Sequence, residues 1–521
     1  MEFVKNNSFV LKSAIFATGF AGIVAEYVLS TLATYFIGNS IFQWTMIVSL
    51  MLFCMGLGSR LSKRITKNLI QNFLLLEITL SLLVAFSSVL VYTLAAFSSY
   101  YEVVIYALSM LIGLLIGLEI PLVVRINTEY DDLKTNISSI LEKDYYGSLL
   151  GGVFFAFIGL PILGLSYTPF ILGLINFFVA CIVLYRFKDK LTTPKLNRLY
   201  TILSITVLVL ITGISFTNPI IAWGEQKKYK DKVIYSEQTK YQNIVLTEWK
   251  DEHWLYLNGN LQFCSIDESM YHEPLVHPVM QLYSNPQNIL ILGGGDGCAV
   301  RELLKYPSVK TIDMVDLDVK MTDLGKNHPV LIDLNQGSMS SSKLKVYNKD
   351  AYIHLEQDNS TFYDIIIIDL PDPRSVELGR LYSHEFYSLC NRKLRPNGIL
   401  ITQAGSPYFA TKAFKCIEKT MSSAKFTTIP MHNQVLSMGE WGWIIGMKNT
   451  TISNYELKNR LEQLKFSNVP TKWINTEAMK LLTSFGKDRY LSDDSPEQIE
   501  INKIHNPVLY QYYLKGNWDL Y

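Results

Sequence analysis

Cysteine is scarce here. Six are scattered through 521 residues, with no CxxC pair and no Cys/His cluster. That excludes a disulfide scaffold and offers no structural zinc set. Neither sign of charge is in excess, with 47 Lys and Arg against 46 Asp and Glu, so the electrostatic footprint of a nucleic-acid partner is missing. Charged residues make up only 18% of the chain and hydrophobic ones 49%, which rules out a disordered polypeptide.

The shortage of charge is uneven. The first 222 residues hold 25 charged side chains and the remaining 299 hold 68, so an apolar half precedes one of ordinary soluble composition. Hydrophobic stretches long enough to span a bilayer fall near 12–37, 41–58, 69–95, 101–124, 148–166, 168–187 and 199–217, and predict an α-helical membrane bundle of about seven spans. The first stretch is too long, and followed by too many others, to be a cleaved signal peptide. Glu26, Glu77 and Glu119 lie well inside these spans. Carboxylates at such depth face a bundle interior, as a polar path or cation site or as helix-to-helix hydrogen-bonding groups.

From Lys232 the texture changes to short strands. Asn258-Gly259 between apolar runs is a hairpin signal, and 232–265 reads as a small antiparallel sheet. Beyond it, strands are predicted at Asn288–Leu292, Thr311–Leu317, Leu344–Tyr347, Asp364–Asp369 and Gly398–Gln403, with later ones near Phe426–Met431 and Trp443–Met447. Their alternation with helical segments predicts an α/β domain, a mainly parallel sheet covered on both faces. The division expected is 1–222 membrane, 223–285 small β domain, 286–450 α/β domain and 451–521 helical tail.

The first of these strands runs into Gly293-Gly294-Gly295-Asp296-Gly297, where glycine lets the backbone turn sharply and approach a ligand. Asp316 ends the next strand, placed to accept hydrogen bonds from ribose hydroxyls, and Asp350 follows the third, within reach of an adenine amino group. A glycine loop with two acids in register predicts an adenosine-type ligand at the carboxyl ends of the strands. No Gly-Lys-Ser/Thr follows the loop, so it is not a P-loop. The spacing does not fit GxGxxG, and Asp296 would repel a pyrophosphate but welcome an ammonium group. Both features favour S-adenosylmethionine chemistry over a dinucleotide, although Asp296 can also be read as a helix cap. Asp369 and Asp372, three residues apart at a strand end, suit a cationic substrate, one accepting a proton while the other anchors a distant charge. Tyr271, Tyr382 and Trp441 are candidates to flank an alkyl diamine.

At these residues the sequence resembles the spermidine synthases, or polyamine aminopropyltransferases, in their bacterial branch with an amino-terminal multispan domain. The matching text is Tyr241-Gln242-Asn-Ile, Leu257-Asn-Gly-Asn-Leu-Gln262, Asp267-Glu-Ser-Met-Tyr271-His272-Glu273, Ile291-Leu-Gly-Gly-Gly-Asp296-Gly, Met314-Val-Asp316-Leu-Asp318, Asp350-Ala351 and Asp369-Leu-Pro-Asp372-Pro. The resemblance implies a Rossmann-like, methyltransferase-type catalytic domain. It implies that Gln242, Gly293, Gly295, Asp316, Asp350 and Ala351 hold decarboxylated S-adenosylmethionine as co-substrate, and that Asp296 binds the aminopropyl ammonium. Tyr271 and His272 would line the amine site, with Asp369 as catalytic base or orienter and Asp372 as anchor. No prosthetic group and no metal are implied. Putrescine is the expected acceptor, spermidine and methylthioadenosine the products, and self-association is expected.

The sequence departs from the soluble enzymes after Pro373, where Arg374 and Arg380 appear, and at Gly439-Glu440-Trp441-Gly442. Both stretches would shape the amine pocket. An S-adenosylmethionine methyltransferase, or a membrane polyamine transporter or sensor with an inactive synthase-like domain, remain the alternatives. A multi-pass cell-membrane protein is expected. Its co-substrate puts the catalytic domain in the cytoplasm, whereas the basic loops around Arg60–Lys67 and Arg186–Arg198 and a seven-span count leave it outside.

Overall fold

The computed structural model describes all residues except Met1, 38–39, 98–99, 358–360, 449–450, 487–498 and 519–521. The chain divides into two compact units, Met1–Val233 and Ile234–Tyr521.

The first unit is helical: α1 Glu2–Ile37, α2 Ser40–Leu61, α3 Leu69–Phe97, α4 Tyr101–Asn127, α5 Leu133–Phe154, α6 Gly164–Phe187 and α7 Thr193–Lys228. Small residues let these helices approach closely. A Cβ at Gly147 of α5 would lie 2.0 Å from the Phe16 carbonyl oxygen of α1, and one at Gly117 of α4 would lie 2.1 Å from the Met55 carbonyl oxygen of α2. Small residues at such crossings let helix backbones pack in van der Waals contact. Among the described residues, six helical stretches are long and apolar enough to cross a membrane, against the seven counted from sequence. The difference lies in 133–190, a single helical run in which a π-helical turn, Phe155–Leu163, joins α5 to α6.

The second unit begins with a four-stranded antiparallel sheet: β1 Lys232–Gln238, β2 Asn243–Trp249, β3 Glu252–Leu257 and β4 Asn260–Cys264, paired in chain order. Asn258 and Gly259 both take positive φ, 51° and 76°, the requirement of the two-residue turn their sequence signals. After helix α8 (Ser269–Leu282) come β5 Asn288–Gly293, α9 Cys298–Leu304, β6 Thr311–Val315, β7 Leu344–Tyr347, β8 Tyr363–Asp369, β9 Leu394–Gly405, β10 Thr427–Val435 and β11 Gly439–Met447. They form one sheet in the order β10-β11-β9-β8-β5-β6-β7. The five strands from β9 to β7 are parallel, and the β10–β11 hairpin adds antiparallel to β9.

The central strands carry unbroken apolar runs, Ile289–Leu292 and Ile365–Ile368, because both faces are covered. Ile289, Ile291, Ile365 and Ile367 enter one core and Leu290, Leu292, Ile366 and Ile368 the other, all with no exposed surface. Each such side chain contributes about 1.5–3 kcal/mol. The chain leaves β5 for β6 and β7 on one side, then returns to β8 on the other. The crevice at the carboxyl ends of β5 and β8 is therefore a topological switch point, where sheets of this kind bind ligands.

Candidate active site

Parallel pairing brings Gly293, at the end of β5, opposite Asp369, at the end of β8. Only glycine serves there. Its φ is +89°, and a Cβ would lie 2.0 Å from the Asp369 carbonyl oxygen. Two residues on, a Cβ at Gly295 would come within 2.7 Å of Asp316 Oδ2, so the loop passes directly over the acid that ends β6.

Asp369 is half-buried, and its Oδ1 accepts a hydrogen bond from the Tyr271 hydroxyl at 2.6 Å. Burial and the charge of Asp296 push its carboxyl up to about 6, while His272 and the Tyr271 hydrogen bond pull the other way. His272, Asp296 and Asp369 each place one polar atom within 4.8 Å of the others. The His272 Nδ1 faces Glu268, 2.9 Å from its carbonyl oxygen and 3.1 Å from Oε2, and its Nε2 lies 3.9 Å from Asp296 Oδ1. Burial opposes a charge on this ring, but the Glu268 hydrogen bond and the two acids outweigh it and hold the imidazolium up to about 9. His272 is thus buried between Glu268 on one side and Asp296 and Asp369 on the other. Glu268 is in turn bound by Arg301 at 2.7 Å, and despite its burial His272 first and then Arg301 draw it down to about 2.

Asp296 stands one residue before Gly297, the N-cap of α9. Its Oδ1 accepts the Cys298 N–H at 2.7 Å at the start of α9, yet the side chain keeps 13% of its surface exposed. Asp316 is half-buried and accepts the Asp318 N–H at 2.9 Å. Burial, with Asp318 and Asp296 adding repulsion, pushes it up to about 6. Gln242 reaches this corner from the small sheet, donating to Asp318 Oδ2 at 3.1 Å alongside Thr239. Asp350 is more occupied than its expected adenine role requires. Its Oδ1 takes the Tyr352 and Ile353 N–H groups of the helix Ala351–Gln357, and its Oδ2 pairs with Arg380.

Asp372 belongs to a second cluster. Its Oδ2 accepts the Tyr513 hydroxyl at 2.6 Å, its Oδ1 the Gln403 amide at 3.3 Å, and Arg374 lies at 3.4 Å. Gln403 also donates to the Tyr382 hydroxyl at 2.7 Å. The guanidinium of Arg374 sits 5.5 Å from the centre of the Tyr513 ring. Both arginines are therefore tied to acids of the site. Sequence reasoning missed Tyr513, Gln403 and Arg301, which no local motif marks, and gave no role to Glu268 although it stands within the matching text Asp267–Glu273. The Trp443 ring lies 5.4 Å from that of Tyr271, and both Trp443 and Trp441 are buried.

Acids at the ends of β5, β6 and β8, with a glycine loop above them, define an adenosine-binding transferase site suited to a cationic acceptor. Residues 268–459 match the model of the spermine/spermidine synthase domain. The chain is 42% identical over 510 residues to polyamine aminopropyltransferase 2 of Aquifex aeolicus, covering 98% of this chain and 99% of that one. It is 37% identical over 492 residues to the polyamine aminopropyltransferase of Leptospira interrogans, covering 94% and 95%. Among solved structures, a spermidine synthase in complex with the transition-state analogue AdoDATO is similar at a TM-score of 0.45 and 25% identity, over 50% of this chain and 88% of that chain. The chain belongs to the polyamine aminopropyltransferases.

Proposed function

We propose that the protein transfers the aminopropyl group of decarboxylated S-adenosylmethionine to putrescine, giving spermidine and methylthioadenosine. The observation that carries this reading is the row of carboxylates Asp296, Asp369 and Asp372, with Asp369 braced by Tyr271 and raised toward neutrality. Asp316 and Gln242 hold the ribose end of the co-substrate, Gly293 and Gly295 give its backbone-lined floor, and Asp350 with Ala351 border the adenine. Asp296 takes the aminopropyl ammonium. Its charge disfavours the carboxylate of S-adenosylmethionine itself, which argues against a methyltransferase.

The amine nitrogen attacks the methylene next to the sulfonium. An N–C bond forms as the C–S bond breaks, the sulfur leaves as a neutral thioether, and the proton lost by nitrogen passes to Asp369. Asp372, fixed by Tyr513 and Gln403, holds the far ammonium of the diamine and sets its approach. His272 keeps the paired acids from repelling one another.

The helical unit is a bilayer anchor with seven crossings. A straight run of 58 residues would be about 87 Å long, near three times the ~30 Å of hydrocarbon. Gly164, at φ +64° between Pro161 and Pro169, divides that run into two spans. Co-substrate supply argues for the catalytic unit on the cytoplasmic side, against the basic loops, which with seven crossings argue for the other.

The test is a product assay on the purified full-length protein. Decarboxylated S-adenosylmethionine is supplied with putrescine, cadaverine or spermidine, and methylthioadenosine and the extended amine are read by mass spectrometry. Product from putrescine that disappears in Asp369→Asn is the expected result. Turnover with S-adenosylmethionine and none with the decarboxylated compound would overturn the reading.

A further inference from the structure

The amine end of the crevice carries a cation that the transfer step does not use. Arg374 stands two residues after Asp372, beyond the end of β8. Pro373 lies between them, and the Arg374 N–H donates to the Asp372 carbonyl oxygen at 2.7 Å. A turn this tight folds the arginine back beside the acid. One guanidinium nitrogen lies 3.4 Å from Asp372 Oδ2, and another donates to Asn260 Oδ1 at the start of β4. The group also lies 5.5 Å from the ring centre of Tyr513, on the short helix Leu509–Leu514. An exposed ion pair between near neighbours in sequence is worth little. Here the fork is held from three sides, by the small sheet, by the loop after β8 and by the last helix, and it forms a wall at that end.

The charges around the wall decide what can pass it. Asp372 Oδ2 is shared between Arg374 and the Tyr513 hydroxyl, and Oδ1 meets the Gln403 amide. Tyrosine and glutamine donate without bringing charge. Among the described residues, Arg374 is the one cation paired with Asp372, and Asp372 the one acid paired with Arg374. The carboxylate therefore faces one fixed positive charge before any substrate arrives. The far ammonium of a diamine is the second. A third, on an amine long enough to run past Asp372, would meet the guanidinium with no further acid to offset the repulsion. We infer that Arg374 is a specificity-determining residue of the acceptor site, which closes it after one ammonium at Asp372, so that diamines are admitted and triamines rejected. The identity of the acceptors rests on the transferase reading; the wall rests on Arg374, Asp372, Asn260 and Tyr513.

The test compares putrescine with spermidine in the full-length protein and two variants. Arg374→Gln removes the charge and keeps a donor for Asn260, whereas Arg374→Lys keeps the charge and loses the fork. Wild-type kcat/KM for putrescine should exceed that for spermidine by about a hundredfold. Arg374→Gln should shrink the ratio at least about tenfold by lowering the KM for spermidine, with kcat for putrescine within about twofold. Arg374→Lys should keep the ratio within about threefold. Isothermal titration of spermidine, with methylthioadenosine present, should show binding tightened about tenfold in Arg374→Gln and unchanged in Arg374→Lys. A wild type that uses both amines equally overturns the inference, as does an Arg374→Gln protein whose ratio and spermidine affinity stay put. Loss of putrescine turnover in Arg374→Gln without tighter spermidine binding would reveal a strut rather than a selector, and also overturns it. Absence of turnover with every amine in the wild type would sink the transferase reading, and the titration would still decide the role of Arg374.

Discussion

Asp369→Asn tests the chemistry most directly, because it removes a charge and almost nothing else. The amide is isosteric with the carboxyl group, and its oxygen can still accept the Tyr271 hydroxyl that now lies at 2.6 Å. What disappears is the proton acceptor, which contributes typically 10²–10⁴-fold, or about 3–5 kcal/mol of barrier. The kcat for methylthioadenosine release should fall by that factor while the KM for putrescine changes less than tenfold. The pH profile provides an independent arm. Asp369 must be ionised to take a proton and is held up to about 6, so the wild-type rate should drop about tenfold per unit as pH falls below 6. The residual rate of the variant should lack that limb.

Stability should move in the opposite sense. A folded-state value raised from 3.8 to about 6 favours folding at pH below 3.8, and that contribution is lost as pH rises through 6. Asp369→Asn should therefore raise Tm at pH 8, by an amount worth up to about 3 kcal/mol, and show no such gain at pH 4. A variant that keeps kcat within tenfold, retains the acid limb and gains no stability at pH 8 would refute the assignment of Asp369 as base.

Tyr513→Phe leaves the Asp372 carboxylate without its 2.6 Å donor. Amine KM should rise several-fold with kcat nearly unchanged, as measured by steady-state kinetics. Gly295→Ala forces a methyl group to 2.7 Å from Asp316 Oδ2. Isothermal titration should show affinity for decarboxylated S-adenosylmethionine weakened at least tenfold, while thermal unfolding stays cooperative. Glu273→Gln removes the charge that accepts the Lys472, Trp473 and Ile474 N–H groups at 2.6, 2.8 and 2.7 Å. Charge-assisted bonds of this kind are worth roughly 1.5–3 kcal/mol, so denaturant melts should show a loss of that order.

The parts readable from sequence were those set by local rules. The unbroken apolar runs of β5 and β8 declare strands buried on two faces, and Asn258-Gly259 declares its turn. Glycines and acids at strand ends declare the crevice. Elements fixed by tertiary pairing were read short. The strand expected at Gly398–Gln403 extends over Leu394–Gly405 because Tyr363 of β8 pairs with Leu394 across a register shift. The one near Phe426–Met431 continues to Val435 because β10 is an edge strand, where His432, Asn433 and Gln434 are tolerated. Tyr513 meets Asp372 across 141 positions of chain, a distance over which hydrophobic period and motif spacing carry no information. Asp350 likewise meets Arg380 across 30 positions of chain.

Three consecutive residues of α8 do three different jobs. Tyr271 braces Asp369, His272 joins Glu268 and Asp296, and Glu273 clasps the segment at Lys472–Ile474. Successive side chains on a helix point about 100° apart, so one short rod is gripped from three sides. Sliding or rolling it to suit a bulkier amine would disturb Asp369, the Glu268–His272 pair and the tail at once. Adaptation to new acceptors is thereby channelled elsewhere, to the stretch from Asp372 to Tyr382 and to the Tyr513 end. These can be rewritten without moving the chemistry.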